Sequence, residues 1–216
     1  MVAPYSLAMA SLSQTVSSVH AGATLFAVAV AGGAGMALEM TVSRLLLPYY
    51  GDSHLVWANL IGLVLATLSL GYYLGGALAD RRPSARLLGL AMLAAGAWAA
   101  LIPVLGPAWL GLLRGAMPAG QTGYLAGSFL AVTVLLAVPM LLLGLVPPFA
   151  IRLLLGGVAG AGNLAGRVYA ISTVGSMVGT FAPVLWLMPA FGVRATFAIT
   201  AVALVLTGVV ALRSGT

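Results

Sequence analysis

Residues 21–47 read AGATLFAVAVAGGAGMALEMTVSRLLL, a run in which Glu39 and Arg44 are the only ionisable side chains. At about 1.5 Å of rise per residue, such a helix spans a hydrocarbon core roughly 30 Å thick, which takes about 20 apolar residues. Five further runs of this kind follow, over Leu55–Ala79, Leu87–Leu105, Tyr124–Val146, Val168–Met188 and Ala195–Leu212. The expected fold is all-α: a polytopic membrane protein, a bundle of about six transmembrane helices. A single transmembrane domain is expected over residues 21–216. Residues 1–20 form a polar-mixed N-terminal segment, expected to be cytoplasmic, with no basic stretch ahead of an apolar core. A cleaved signal peptide is therefore not expected.

Composition points the same way. Of 216 residues, 62% are hydrophobic and 6% charged, and the mean hydropathy is +1.14. A soluble domain carries about a quarter charged residues, so a soluble enzyme is excluded. The absence of cysteine excludes disulfides, thiolate metal sites and Cys nucleophiles. All nine cations are Arg, and the net charge is +6. They sit at the edges of apolar runs, where they orient helices rather than bind nucleic acid. Arg81, Arg82, Arg86, Arg152, Arg167 and Arg213 fall on one side, and Arg44, Arg114 and Arg194 on the other. The positive-inside rule makes the first side cytoplasmic, with both termini there, in the cell's inner (plasma) membrane.

Prolines and glycines punctuate this pattern. Pro103 and Pro107 are expected to end the third helix, and Trp109–Leu113 to form a short interfacial helix after it. Pro139, Pro147 and Pro148 interrupt or end the fourth helix, and Pro183 sits inside the fifth. They imply either kinks that shape the bundle or a discontinuous helix at a substrate site. Gly156–Gly162 reads as a flexible link. The pairs Gly71/Gly75, Gly123/Gly127, Gly175/Gly179 and Ala31/Gly35 have the spacing of close helix contacts, within the bundle or at a homodimer face.

Glu39 is the one acid inside an expected span. A charge there costs about 2.5–3.5 kcal/mol on insertion scales, so it must face the bundle interior. Arg44 lies five residues on, about 140° around the helix, and the same-face neighbour is Ser43. Two readings stay open: a buried hydrogen-bonded pair that locks the bundle, or a site for a cation or proton. Tyr169, Ser172 and Ser176 share a helix face, as a cavity wall or an interhelical seam. Tyr49, Tyr50, Asp52, His54 and Trp57 read as an interfacial belt, or as an entrance where Asp52 attracts a cation. His20 and His54 both lie near helix ends, so no haem or metal is expected, and no phosphate loop or catalytic carboxylate pair is present. Catalytic residues and cofactors are expected to be none.

Two families resemble this chain. Gly71-x-x-x-Gly75-Gly76-Ala77-Leu78-Ala79-Asp80-Arg81-Arg82 resembles the loop motif of major facilitator transporters, continued here by Pro83-Ser84-Ala85-Arg86. From about Gly32, the chain resembles the membrane part of membrane-bound spermidine synthase-like proteins. The matching stretches are Glu39-Met40-Thr41-Val42-Ser43-Arg44-Leu45-Leu46 with Gly51-Asp52-Ser53, Gly62–Asp80, Pro139–Pro148 with Arg152, and Pro189–Arg194. The most specific is Gly166-Arg167-Val168-Tyr169-Ala170-Ile171-Ser172-Thr173-Val174-Gly175-x-x-x-Gly179, with Ser172 where Asn is usual. In that family a cytoplasmic synthase-like domain follows the last helix. Glu39, Asp52 and Asp80 alone cannot hold a polyamine and an adenosyl cofactor for aminopropyl transfer, so that chemistry would belong to a partner or to a longer chain.

The resemblance implies a non-catalytic module that binds or moves a cationic molecule such as a polyamine, or anchors a cytoplasmic synthase-like partner. Glu39 would bind the cation, with Arg44, Tyr169 and Ser172 shaping the site. The alternatives are a half-size transporter acting as a dimer, or a structural subunit among other membrane proteins.

Overall fold

A computed structural model describes the backbone of residues 3–157 and 160–214, and side chains from Ala21 onward. Among the described residues every regular element is helical. The elements are α1 (Ala3–Tyr50), α2 (His54–Arg81), α3 (Ala85–Ala116), α4 (Gln121–Gly144), α5 (Val146–Leu154), α6 (Ala161–Ala182), a π-helical turn (Pro183–Leu187) and α7 (Met188–Ser214). Among the described residues five stretches are long and apolar enough to cross a bilayer: Ala21–Tyr50, His54–Arg81, Ala85–Ala116, Gln121–Leu154 and Ala161–Ser214.

The last stretch contains a reversal. Gly192 has φ 82° and ψ 171°, outside the helical region and open mainly to glycine. Packing on either side fixes the direction. Gly175 and Gly179 of α6 lie against Ala29 and Gly33 of α1, so these two helices run parallel. Gly89 and Gly96 of α3 lie against Gly208 and Ala201 of α7, an antiparallel match. Leu45 and Tyr49 meet Gly106 and Pro107, which makes α1 and α3 parallel. Gly71 and Gly75 of α2 meet Gly144 and Leu145, parallel again. Among the described residues the chain thus passes along the bundle six times, with α1, α3 and α6 in one direction and α2, α4–α5 and α7 in the other. Arg81, Arg82, Arg86, Arg152, Arg167 and Arg213 gather at one end, and Arg114, Arg194 and Asp52 at the other.

Glycine makes three of these contacts close. A methyl group at Gly71 would lie 2.9 Å from Gly144 Cα, and one at Gly89 would lie 2.7 Å from the Gly208 carbonyl. At Gly179 it would overlap the Gly33 backbone. Where lipid tails are as apolar as the side chains, such packing holds helices together. Gly123 and Ala31/Gly35 make no comparable interhelical approach: Gly123 abuts Pro118 just before its own helix, and Gly35 meets side-chain tips of Met140 and Leu143 at ordinary distance. Helix α1 is central and packs on every other helix.

Several boundaries differ from expectation. Helix α1 continues through Pro48 to Tyr50, and its backbone is helical from Ala3, within the segment 1–20. Helix α3 does not end at Pro103 or Pro107, and the separate interfacial helix is absent: Trp109–Leu113 belongs to α3, with Leu110 and Leu113 buried. Each proline forfeits one bond, to the carbonyl four residues earlier, whereas a helix end exposes four carbonyls. Pro139 is likewise carried inside α4.

The break in the fourth pass falls at Leu145, whose N–H bonds Leu142 O at 3.2 Å. Pro147 and Pro148 then occupy the first turn of α5, where no intrahelical N–H is required. Pro183 opens the π turn, closed by the Met188 N–H on the Pro183 carbonyl. Residues 158 and 159 of the glycine-rich link lie outside the described residues.

Candidate functional site

Hydroxyls in these helices follow a rule with a telling exception. Thr41, Thr67, Thr180 and Thr200 each donate to the carbonyl four residues earlier, at 2.6–2.9 Å. A hydroxyl satisfied in this way makes no demand on its surroundings. Ser172 and Ser176 on α6 form no such bond, and among the described residues neither hydroxyl has a partner. Both approach the Cα of Gly32, where a methyl group would meet each Oγ at 3.0 Å.

These two serines line a cavity of about 50 Å³. Its other walls are Gly32, Gly35 and Met36 of α1, Val64, Leu68 and Tyr72 of α2, Met140 and Leu143 of α4, and Pro147 of α5. A water molecule claims about 30 Å³ in the liquid. The space therefore suits one or two waters or a single ammonium head.

Glu39 stands one turn beyond Gly35 on the same face of α1, about 6 Å further along the axis. It is 5% exposed. Among the described residues its carboxyl has neither a hydrogen-bond nor an ion-pair partner. Its oxygens are not among the fully buried side-chain atoms that lack a partner, so the carboxyl keeps a small accessible surface.

The four residues expected to share a site are placed differently. Glu39 is buried but does not line the cavity; Ser172, which does, lies against Gly32, seven residues or about 10 Å along α1 from Glu39. Arg44 is exposed on the flank of α1, so the structure does not bring it to Glu39. Tyr169 is 56% exposed and lies outside the cavity wall. Tyr72 and Ser176 complete the polar lining. The i,i+4 spacing of Ser172 and Ser176 could be read beforehand, but the arrival of Tyr72 from α2 depends on interhelical packing.

At the arginine-poor end, Trp57 Nε1–H donates to Asp52 at 2.7 Å, and Tyr124 OH contacts Ser53 Oγ at 3.0 Å. Tyr124 OH also donates to the Tyr50 carbonyl, and the two rings meet edge to face at 5.9 Å. Asp52 is thus tied to Trp57 and takes no part in the Tyr50–Tyr124–Ser53 contacts. At the other end, Arg152 Nε lies 3.4 Å from Asp80 Oδ1, tying α5 to the end of α2. No three His, Asp or Glu side chains gather to hold a metal ion among the described residues.

Compared with protein-family profiles, curated proteins and solved structures, the chain gave no match.

Proposed function

We propose that this chain is an integral membrane protein of six crossings in the cell's inner membrane, its arginine-rich end cytoplasmic, and that it binds or moves a cationic small molecule. The observation that carries this reading is Glu39, a buried acid with no partner among the described residues. Such a residue inside a span marks an ion or substrate pathway by default. In this reading the Glu39 carboxylate supplies the counter-charge from beyond the cavity, and inside it Ser172, Ser176 and Tyr72 supply neutral oxygens that accept ammonium N–H bonds. The cavity takes one ammonium head.

The resemblance to the membrane part of spermidine synthase-like proteins makes a polyamine the first substrate to test, with no catalytic step in this chain. The same resemblance makes a cytoplasmic synthase-like partner a candidate for the exposed Arg81, Arg82 and Arg86. The experiment is uptake of labelled spermidine into proteoliposomes holding the purified chain, with Glu39→Gln as comparison. Uptake by the native chain that Glu39→Gln abolishes supports transport. Uptake equal to empty vesicles removes transport and leaves binding or anchoring.

A second reading, a half-size transporter completed by a second copy, is favoured by α2. Tyr73 is 74% exposed there, and its hydroxyl has no partner among the described residues. A dimer that survives mild detergent and dissociates on Tyr73→Ala supports it.

A further inference from the structure

The cavity lined by Ser172 and Ser176 has closed ends and an open side. It lies at mid-depth, since Gly35, Leu68 and Met140 each fall near the centre of their apolar stretches, Ala21–Tyr50, His54–Arg81 and Gln121–Leu154. Val28 and Val42 stand seven residues either side of Gly35, on its face of α1, and both are fully buried. Leu60 of α2 and Leu136 of α4 repeat the closure toward the arginine-poor end, and Ala150 of α5 toward the arginine-rich end. Along the bundle axis the cavity is therefore capped by apolar side chains in both directions.

The flank between α2 and α6 is different. Among the described residues no Cα of α2 lies within 8 Å of one in α6, although both helices pack on α1 and α5. That leaves a slot floored by Gly32 and Met36 of α1. Met36, Ser172 and Ser176 in it are half-buried. Tyr72 and Tyr169 stand at its two rims, 43% and 56% exposed, close enough to interact electrostatically. Leu65 and Tyr73 on the α2 rim are exposed as well. In the membrane reading above, this is a surface that faces lipid.

We propose that the cavity is entered sideways from the bilayer, through the slot between α2 and α6, and that the cation it takes is an amine bearing a hydrocarbon tail. The inference deepens the cation-binding reading and rests on it. The ammonium head sits among the Ser172, Ser176 and Tyr72 hydroxyls, and the tail leaves over Leu65 and Tyr169. A space of about 50 Å³ holds a head and no chain, so the tail stays in lipid throughout. An amine arriving from water meets the apolar caps instead.

The test places the full chain in phosphatidylcholine nanodiscs with dodecylamine carrying a diazirine in mid-tail, or with dodecanol carrying the same tail. After irradiation, mass spectrometry maps the adducts. The amine should label residues 65–73 of α2 and 169–173 of α6 about tenfold more than the alcohol, the scale of one hydrogen bond to a charged group. Leu68→Trp, which fills the cavity from α2, should remove that excess. Equal labelling by the two probes, or an excess that survives Leu68→Trp, overturns the proposal. If Leu68→Trp does not fold, unlabelled dodecylamine should displace the adducts where dodecanol does not, and adducts that resist both overturn it. Spermidine that still binds saturably after such a failure leaves the cation reading standing without side entry, and loss of both removes that reading too.

Discussion

Glu39 and Arg44 stand five residues apart on α1, one buried at 5% exposure and the other exposed. The helix turns about 140° over that interval, which carries the guanidinium away from the carboxyl. An internal ion pair would have made Glu39 a lock. Without one, the carboxyl is left for a ligand or a proton, at a cost the fold tolerates.

That cost gives a first prediction. Glu39→Leu replaces a carboxyl that has no partner among the described residues with an apolar side chain and should stabilise the bundle by up to about 1–3 kcal/mol while ending cation binding. In a thermal scan in detergent the midpoint should rise by roughly 2–4 °C per kcal/mol for a chain of this size. A falling midpoint would show that Glu39 has a structural partner after all.

The contact between α1 and α6 is the closest that a glycine makes among the described residues. Gly179→Leu places a side chain in the Gly33 backbone and should destabilise by about 3 kcal/mol or more, since backbone cannot move aside as a side chain can. Gly76→Ala, where nothing lies within 4 Å, should be neutral or slightly stabilising. Thermal midpoints of the two variants check both statements.

The ion pair at the arginine-rich end should matter little. Arg152 and Asp80 are 42% and 77% exposed. Asp80→Asn should therefore cost under about 1 kcal/mol, and less in high salt. A loss of several kcal/mol would mean that this contact closes something larger.

The six passes are open to direct labelling, because the chain has no cysteine of its own. Single cysteines at Ser84 and Gly156 should react from one face of a vesicle, and those at Asp52, Ala119 and Arg194 from the other. Arg194→Cys is the informative case, since labelling on the Ser84 side would deny the reversal at Gly192.

Much of this architecture is written in local sequence. Apolar runs give the helices, and the arginines sort the ends. What escaped were events whose cost depends on the solvent. Pro103 and Pro107 read as a helix end under rules learned in water, where free carbonyls find hydration. In an apolar surround, continuing the helix and forfeiting two bonds costs less than exposing an end.

The Gly89–Gly208 contact joins two helices far apart in sequence. Its local trace is that Gly89 and Gly96, seven residues apart, share a face of α3. The candidate site was legible in part. Glu39 stands out as the lone acid in a span, and Ser172 and Ser176 share a face. Arg44 and Tyr169 were grouped with them by the motifs they occupy, and helix rotation decides otherwise.

The most direct measurement is equilibrium binding of labelled spermidine to the purified chain, beside Glu39→Gln and Glu39→Asp. If Glu39 is the counter-charge, the native chain binds saturably. Glu39→Asp then retains weakened binding, and Glu39→Gln loses tenfold or more, about 1.4 kcal/mol. Equal affinity in the native chain and Glu39→Gln would contradict the account, leaving Glu39 a buried acid without a role in binding.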